Sequence, residues 1–527
     1  MLHPHVLAAV FATINLDGAV VDDGSDYAIV EFDVPAGTLE IEIAHTADET
    51  QNILDWGVWD PNGFRGWGGG LRDNAIIGET EASRGYIPGP LPVGTWHLVI
   101  GKADIRAWPA TYALTVDLKD AETLTARERA PFTPVILASE RRYYAGDFHV
   151  HSRESGDATA SFAEIAALAR ERGLDFVALS DHNTVAQHPL QAAYQAGVTD
   201  VLFIRGAEVT TYSGHGNAFG FTDYIDHRVG LDTPAGTVSA ASIVADVRAQ
   251  GGLFSINHPR LNLGNACIGC AWDHADTPWQ DVQAMEIHTG NYDATISLFT
   301  PLALALWDEK LAEGLRITAI GGSDDHRAGM DLSPMQSPIG SPATVVLADE
   351  LSEAAILEAV AAGRVVVKLR GPDDPDLRFT ATSADDADGA TRVDMGETIA
   401  THQIALDVEV DGGTGFDVLI VRNGEAVDIV AIDSDAFAVR FSYDIAETGD
   451  RFRAHVVQGG VLDVVVSNHI YAEYAEPPPG AASDCGCRVG AARPASSQSL
   501  AAFALLMGLF WLALRRRGQT ARAASAR

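Results

Sequence analysis

The chain has 527 residues, 47% of them hydrophobic, so we expect three or four folded units with sizeable cores. Its 72 acidic residues outnumber the 36 lysines and arginines, which gives a net charge of −36. This charge repels polyanions, and the motifs described below have no basic stripe beside them that could follow a nucleic-acid backbone. Long DNA or RNA is therefore disfavoured as a partner, and a small molecule is favoured.

The first 135 residues are predicted to form an N-terminal β-sandwich. Short runs in which apolar and polar residues alternate, such as YAIVEFDV, LEIEIAHT and WHLVIGK, are separated by turns rich in Gly, Pro, Asn and Asp. This pattern is typical of all-β folds. Residues 1–17 contain an apolar patch that is a candidate for an atypical export signal, although it lacks a basic start and a clear cleavage site.

Between residues 140 and 370, predicted strands alternate with predicted helices. Four short apolar runs are predicted to be buried strands: 176–179, 201–204, 253–256 and 317–320. Ser161 and Glu164 form a capping box that opens a helix ending near Arg172. Amphipathic stretches predict further helices at 237–250, 296–313 and 351–362. The alternation indicates a parallel α/β sheet or barrel.

A second, C-terminal β-sandwich is predicted over residues 371–475. It contains the alternating runs HQIALDVEV, FDVLIVRNGEAV and FAVRFSYDI, and Asn423-Gly424 is a hairpin turn signal. Neither predicted sandwich carries a catalytic constellation. Packing, spacing from the cell envelope or ligand contact are their expected roles.

The C-terminal end combines a linker, a short apolar segment and a basic tail. Residues 476–499 are rich in Pro, Ala, Gly and Ser and are predicted to be an unfolded linker that contains Cys485 and Cys487. Residues 500–514 are predicted to be a short transmembrane helix, and the arginines of 515–527 predict that the tail stays cytoplasmic.

This tail resembles a bacterial C-terminal sorting signal of the MYXO-CTERM type, in which a cysteine motif, an apolar helix and a basic cluster follow one another. The resemblance implies that the folded part is exported and anchored at the cell surface, with cleavage by a sorting peptidase near Cys485 or Cys487. A permanent tail anchor is the alternative.

Six clusters of histidines and carboxylates follow apolar runs in the middle of the chain: GDFHVHSRESGD, VALSDHN, IRGAEVTTYSGHGN, FSINHPR, MEIHTG and IGGSDDHR. In a parallel barrel, catalytic groups come from the C-terminal ends of several strands. A single buried histidine is usually an ordinary core residue. Six successive polar strand ends would each cost on the order of several kcal/mol without a partner, so together they predict a metal site.

Nine side chains are candidate metal ligands: His149, His151, Asp157, His182, Glu208, His215, His258, Asp324 and His326. His149 and His151 are two residues apart, so on a strand they face the same side and can bind one ion. Imidazole and carboxylate donors without thiolate suit zinc, manganese or iron.

Other residues near these motifs are candidates for supporting roles. Those that could orient a ligand or contact the substrate are Asp181, Glu286, His288, Asp325 and Arg153. Asp181 or His182 could transfer a proton to the leaving group. Arg260, like Arg153, is either an anion clamp or a solvated arginine. Cys267 and Cys270 are expected to form a local disulfide in an exported chain.

The ordered motifs resemble the polymerase-and-histidinol-phosphatase (PHP) family over residues 140–370. The GxExT and GHxN sequences between Gly206 and Asn217 resemble its carbaryl-hydrolase-like (CehA/McbA-like) branch. The family implies a distorted seven-stranded (β/α) barrel with two or three divalent ions. His288 departs from the pattern expected there.

Position by position, the resemblance implies three sets of ligands. The first set is His149, His151, Glu208 and Asp324, the second is Glu208, His215 and His258, and the third is Asp157, His182 and His326.

Two ions bridged by Glu208 would lower the pKa of a shared water and give a metal-bridging hydroxide that attacks phosphorus or a carbonyl carbon. The predicted function is hydrolysis of a small phosphoester, with an aryl ester or carbamate as the alternative substrate. A function of a different class, that of a non-catalytic protein that binds the cell envelope, is the other alternative. The oligomeric state is left open.

Overall fold

The computed structural model describes residues 9–47, 51–264, 267–330, 336–384 and 391–477. The predicted transmembrane helix, the basic tail and the cysteines of the predicted linker lie outside these residues. Among the described residues, no helix is both long and apolar enough to span a bilayer. Of the candidate export signal at 1–17, residues 10–15 form a strand of the first sheet.

The described part of residues 9–119 forms nine strands: β1 (Val10–Asn15), β2 (Gly18–Val20), β3 (Tyr27–Val34), β4 (Glu40–Ala47), β5 (Asn52–Asp60), β6 (Gly63–Gly69), β7 (Ala75–Gly78), β8 (Gly94–Ile105) and β9 (Ala110–Lys119). One sheet has the order β1-β9-β4-β7 with β2 also paired to β9, and the other has the order β3-β8-β5-β6. Apolar side chains from both sheets, such as Ile41 and Trp96, share one core. The region is therefore a two-layer β structure.

The central region contains twelve strands among the described residues: β10 (Arg142–Val150), β11 (Phe176–Leu179), β12 (Leu202–Ile204), β13 (Gly206–Thr211), β14 (Gly214–Phe219), β15 (Asp232–Thr233), β16 (Gly236–Thr237), β17 (Leu253–Ile256), β18 (Ala284–Thr289), β19 (Thr318–Gly322), β20 (Ala343–Ala348) and β21 (Val365–Lys368). Its helices are α1 (Phe162–Glu171), α2 (Gln187–Gln195), α3 (Ala240–Ala249), α4 (Tyr292–Thr295), α5 (Thr300–Ala312) and α6 (Glu353–Ala361).

Eight of the central strands, β10–β14 and β17–β19, form a ring that is made of two sheets. In one sheet β10, β11 and β12 are parallel, and the other has the order β13-β14-β17-β18-β19. Two isolated parallel bridges, Val150 to Asp325 and His182 to Glu208, join the sheets. Strand β14 runs antiparallel to both of its neighbours, β13 and β17. The ring is thus mostly parallel, with one hairpin inserted.

Local sequence explains where the helices begin. The capping box of Ser161 and Glu164 is confirmed at the start of α1. Helix α2 was not predicted, because its first residues are polar and Ala186 makes no side-chain cap. Pro189 is tolerated there, since backbone N–H groups in the first turn have no partner within the helix.

The C-terminal region has ten strands among the described residues: β22 (Asp376–Ser383), β23 (Arg392–Asp394), β24 (Thr398–Thr401), β25 (Gln403–Asp411), β26 (Asp417–Arg422), β27 (Glu425–Ala431), β28 (Ala436–Asp444), β29 (Asp450–Gln458), β30 (Leu462–Ser467) and β31 (Ile470–Tyr474). The hairpin at Asn423-Gly424 is confirmed between β26 and β27, with positive φ angles of 54° and 91°.

The C-terminal strands also form two layers, but one layer continues the sheet of the ring. One four-stranded sheet has the order β23-β22-β25-β28. The other begins in the ring and runs through β10, β20, β21, β30, β29, β26 and β27. Side chains of β20 and β21, Val345 and Val366, lie in the C-terminal core. Strand pairing therefore crosses the predicted boundary at residue 370.

Candidate metal centre

The candidate ligands gather at one end of the ring, within its strands or just after them. His149 belongs to β10, Glu208 to β13 and His215 to β14. The others follow strand ends: His151 and Asp157 after β10, His182 after β11, His258 after β17, and Asp324 and His326 after β19. Because the carboxyl ends of parallel strands meet at one edge, residues distant in sequence converge there.

Glu208 lies at the centre of this group, and both of its carboxylate oxygens face histidines. Oε2 lies 2.8 Å from His182 Nδ1 and 3.5 Å from His149 Nε2. Oε1 lies 3.3 Å from His215 Nδ1 and 3.4 Å from His258 Nε2. The two oxygens of this carboxylate thus face two different pairs of histidines, which is the arrangement required of a bridging ligand.

Asp324 approaches the two histidines of the His-x-His motif. Its Oδ1 lies 3.0 Å from His151 Nε2 and 3.3 Å from His149 Nε2. Both histidines are fully buried, whereas the side chain of Asp324 is partly open to the cavity described below. The aspartate therefore lies between the buried histidines and the space available to a substrate.

Asp157 joins a second pair of histidines at the outer side of the group. Its Oδ2 lies 3.1 Å from His326 Nε2 and 3.2 Å from His182 Nε2. The His151 ring lies close to both, with ring centroids 4.1 Å from that of His326 and 4.4 Å from that of His182. His151 thus connects the inner and outer parts of the centre.

Four sets of His, Asp and Glu donors within the described residues each have ligand atoms within 4.8 Å of one another: His149/His151/Glu208, His149/His258/Asp324, Glu208/His215/His258 and His151/His182/His326. The third set coincides with one of the three sets that the family resemblance implies. Buried His149 Nε2 and Glu208 Oε2 make no hydrogen bond of good geometry, although Oε2 lies 2.8 Å from His182 Nδ1. An unpaired buried polar atom costs about 1–3 kcal/mol, so these atoms fit ligands aimed at an ion.

Without an ion, the electrostatics place two of the donors, Glu208 and His151, in the forms that bind metal, whereas neighbouring carboxylates raise the pKa values of His149 and His182 despite their burial. Burial raises the pKa of Glu208, but the neighbouring His149 and His182 hold it well below the usual range, so this carboxylate is ionised. Burial, and then the neighbouring His326 and His182, lower the pKa of His151 to about 3. His151 is therefore a neutral imidazole near pH 7, and a neutral imidazole is the form that binds a metal ion.

Two candidate ligands have backbone angles that are unusual for residues with a side chain. His258 has φ of 26° and Asp324 has φ of 58°. Such angles cost of order 1–3 kcal/mol and persist where surrounding contacts impose them, often at functional sites.

Two buried carboxylates beneath the centre hold its strands in place. Glu286 Oε1 accepts a hydrogen bond from His149 Nδ1, and Oε2 accepts one from His258 N, both at 2.8 Å. Asp147 accepts from the backbone of His149, Ser323 and Gly340, which links β10 to the segments after β19. Glu286 was among the predicted supporting residues, whereas Asp147 was not singled out from the sequence.

Three further polar residues that sequence reasoning missed orient the ligands. Asn257 Nδ2 donates to Glu208 Oε1 at 3.0 Å. Asn183 exchanges two hydrogen bonds with the backbone of Thr210, and Thr210 Oγ1 lies 2.7 Å from His182 Nδ1. The sequence does carry a signal for the two asparagines, because Asn257 directly precedes His258 and Asn183 directly follows His182.

Asp181 and His288 point away from the cavity. Both carboxylate oxygens of Asp181 accept hydrogen bonds from Ser152, at 2.6 and 2.7 Å, so this residue shapes the loop after His151. Strand β18 has an irregular register between Glu286 and His288, and His288 Nδ1 lies 2.6 Å from Thr300 Oγ1 at the start of α5. Neither residue contributes to the described cavity wall.

The predicted anion clamps are also separate from the cavity. Arg153 and Arg260, both described residues, are exposed and lie outside its wall, whereas Arg72 and Arg327 line it. Asp325 accepts hydrogen bonds from three backbone N–H groups between residues 327 and 339. It therefore fixes the loop after β19 rather than facing the centre.

The candidate metal ligands lie at a cavity of about 930 Å³ whose wall comes partly from the N-terminal sheets. Ile53, Trp67 and Leu71 line it together with Glu208. A Cβ atom on Gly156 would lie 2.5 Å from Gly68 O, so the loop that carries Asp157 packs directly against β6. A cavity of this size suits a small molecule.

Asp55 brings a carboxyl group from the N-terminal sheet into this wall. Its Oδ2 accepts a hydrogen bond from the Tyr212 hydroxyl at 2.8 Å, and both residues line the cavity together with His182. Burial raises the pKa of Asp55 to about 6. Sequence reasoning missed Asp55 because it lies far from the metal motifs along the chain.

No family model matches the sequence, and no curated protein matches it. A structure from Bacteroides vulgatus, described as a two-domain protein containing a predicted PHP-like metal-dependent phosphoesterase, is 17% identical, with 66% of this chain and 99% of that chain covered and a TM-score of 0.35. A structure from Bifidobacterium adolescentis, named as a metal-dependent phosphoesterase, is also 17% identical, with 36% and 92% covered and a TM-score of 0.27. The first description names the family that the sequence motifs resemble, but at these TM-scores the likeness carries no inference for this chain.

Proposed function

We propose that the protein is a metal-dependent hydrolase of a small phosphoester. The observation that carries the proposal is the grouping of Glu208 with eight other ligand-type side chains at a cavity, where buried His149 Nε2 and Glu208 Oε2 make no hydrogen bond of good geometry. Seven of these nine side chains are histidine or glutamate residues drawn from six separate strands or strand ends. Such convergence has no structural use that apolar residues could not serve at lower cost.

Two or three divalent ions, such as zinc, manganese or iron, would be held by the side chains already described: His149, His151, Asp157, His182, Glu208, His215, His258, Asp324 and His326. When bound, such ions supply a nucleophilic water at neutral pH and offset the charge that develops on the substrate oxygens.

The protein's own residues hold the ligands in place, supply a proton to the leaving group and favour the charge of the substrate. Asn257 keeps the Glu208 carboxylate in place through its hydrogen bond to Oε1. Asp55 donates a proton to the leaving group, because its raised pKa lets it keep that proton at a higher pH than an exposed carboxyl would. Arg72 and Arg327 in the wall favour an anionic substrate.

An aryl ester or carbamate is the second candidate substrate class. The apolar side chains of Leu71, Leu261 and Leu263 line the same cavity and would pack against an aromatic leaving group. Such a substrate would agree with the carbaryl-hydrolase-like branch that the sequence resembles. We also propose, from the C-terminal residues 476–527 alone, that the folded part is exported and anchored at the cell surface.

The proposal is tested by counting metal ions in the purified full chain and assaying phosphomonoesters, phosphodiesters, aryl esters and carbamates. We expect bound divalent metal and turnover of a phosphoester, with loss of turnover in His151→Ala. His97→Ala is a matched control, because His97 is a partly exposed histidine of β8 outside the cavity wall. Bound metal with no turnover of any class would favour a binding protein, and activity that survives His151→Ala would contradict the proposed centre.

A further inference from the structure

The loop between β17 and β18 carries a disulfide that the proposed hydrolysis does not use. Cys267 and Cys270 are bonded, with Cα atoms 5.5 Å apart, and both line the cavity. We propose that this disulfide loop, residues 267–270, holds His215 and His258 in the orientation that binds an ion together with Glu208. The two cysteines are then positioning residues, and the inference rests on the proposed metal centre.

Two carbonyl groups of the disulfide loop accept hydrogen bonds from the two histidines. His215 Nε2 donates to Ile268 O, and His258 Nδ1 donates to Cys270 O, each at 3.0 Å. The opposite ring nitrogens, His215 Nδ1 and His258 Nε2, are thereby left to face Glu208 Oε1 at 3.3 and 3.4 Å. The loop thus fixes both the tautomer and the direction of each ring.

The loop is packed closely against the strands that carry these histidines. Gly269 has φ of 74°, and a Cβ atom there would lie 2.3 Å from Thr211 O at the end of β13. On the far side of the loop, Asp273 N donates to Ser213 O, and Trp272 N donates to Pro259 O. The loop is therefore packed against the end of β13, and the residues that directly follow it contact the β13–β14 turn and the segment after His258.

The disulfide is the covalent element that keeps both carbonyls at these distances. Residues 267–270 belong to no helix or strand, so their backbone angles are held by these contacts and by the bond between the cysteines. Opening the bond frees backbone angles on both sides of Ile268. Loss of a partner that orients a metal-binding histidine typically lowers metal affinity about 10- to 100-fold.

The bond also determines which atoms near His215 can act as ligands. Both cysteine sulfur atoms and a ring nitrogen of His215 lie within 4.8 Å of one another. Since the thiolate is the form of cysteine that binds metal, the bonded sulfurs do not compete with Glu208 for the ion. The disulfide therefore keeps this part of the centre a nitrogen and oxygen site.

The test compares the full chain with the double variant Cys267→Ser/Cys270→Ser. Zinc affinity is measured by competition with a chelating dye, and the number of bound ions by elemental analysis. We expect the affinity for one ion to fall about 10- to 100-fold while the remaining ions and the thermal unfolding of the metal-free protein are unchanged. The matched control is Cys485→Ser/Cys487→Ser, which removes the other two cysteines of the chain and should leave every affinity as it was.

A second variant keeps the inference testable if the serine variant does not fold. Gly269→Ala retains the disulfide but places a Cβ atom against Thr211 O, so it should shift the carbonyls and weaken the same ion. Unchanged zinc affinity in either folded variant, or equal weakening of every ion, would overturn the positioning role. Absence of bound metal in the unaltered chain would instead overturn the proposed function.

Discussion

Glu286 shows how one buried carboxylate determines the form of two ligands. It accepts from the ring of His149 and from the backbone of His258, and the latter contact helps to hold His258 at its positive φ. With Nδ1 of His149 donating to Glu286, Nε2 of that ring is the atom left for an ion. The ring atom available to an ion is thus decided by a residue outside the proposed ligand set.

Glu286→Gln is expected to lower metal affinity about 10- to 100-fold and to reduce kcat/KM accordingly, because the neutral amide orients both partners less strongly. Glu31→Gln is the matched control, since Glu31 is an exposed glutamate of β3. Metal titration measures the affinity of each variant, and only Glu286→Gln should differ from the unaltered chain. An affinity equal to that of the unaltered chain would show that Glu286 has no orienting role.

Asp55→Asn is expected to reduce kcat by about 100-fold for an alkyl phosphoester, because the amide cannot supply a proton to a poor leaving group. A 4-nitrophenyl ester, whose leaving group needs no proton, should lose much less. The measurement is the loss of kcat on each of the two substrates. Asp33→Asn is the control, because Asp33 is an exposed aspartate of β3. An equal loss on both substrates would contradict a role as acid.

Most of the candidate ligands could be predicted from the sequence, because each follows a recognisable apolar run. His258 and His182 are examples, lying within three residues of β17 and β11. The direction of a side chain was harder to predict. An irregular register in β18 directs His288 to Thr300, and no sequence pattern announces it. The position of Asp55 in the cavity wall depends on its contact with Tyr212, which is 157 positions away, and sequence periodicity does not reveal such a contact.

At the scale of elements, helix α2 supports the edge of the centre through polar contacts. Gln187 Nε2 donates to Gly206 O at 2.7 Å, and His188 Nε2 donates to the same carbonyl at 3.2 Å. Gly206 begins β13, the strand that carries Glu208. The helix thus fixes the start of the strand that provides the bridging carboxylate.

His188 should make the fold sensitive to acid. Burial lowers the pKa of His188 to about 4, whereas an unfolded histidine titrates near 6.5. Because the unfolded chain binds this proton more readily, the free energy of unfolding should fall as the pH decreases from about 6.5 to 4, by up to roughly 3 kcal/mol.

The measurement is denaturant unfolding at several pH values for the unaltered chain, His188→Asn and the control His97→Asn at a partly exposed site. We expect the stability of His188→Asn to depend less on pH within this window, while His97→Asn follows the unaltered chain. The same pH dependence in all three proteins would exclude His188 as the cause.

Local patterns predicted individual elements well and their pairing less well. The apolar runs 176–179 and 253–256 coincide with β11 and β17, and the capping box and the Asn-Gly turn lie where they were predicted. Strand β14 was not among the predicted strands. Its antiparallel pairing depends on partners in β13 and β17, which a local pattern does not specify.

At the scale of the whole molecule, the ring and the C-terminal layers are linked by buried polar contacts as well as by strand pairing. Asn468, just after β30, exchanges hydrogen bonds with both backbone groups of Ala319 in β19 and donates to Val365 O in β21. Arg453 of β29 pairs with Asp308 of α5. The C-terminal strands are therefore part of the support for the strand that precedes Asp324.

Asn468→Ala should destabilise the protein by about 1–3 kcal/mol, since it leaves buried backbone groups without partners. Asn74→Ala is the control, because Asn74 is exposed and its bond to Glu42 lies at the surface. Denaturant unfolding gives the comparison. Equal stability of the two variants would indicate that the C-terminal layers do not support the ring.

The central claim, that Glu208 unites a catalytic metal centre, is tested most directly by restoring activity to metal-free protein. Ions are removed from the full chain and from Glu208→Gln, zinc or manganese is added back, and phosphoester hydrolysis and bound metal are measured in the same samples. We expect the unaltered chain to regain two or three ions and its activity together, while Glu208→Gln binds fewer ions and stays at least about 1000-fold less active. Hydrolysis by the metal-free chain, or full recovery in Glu208→Gln, would contradict the account.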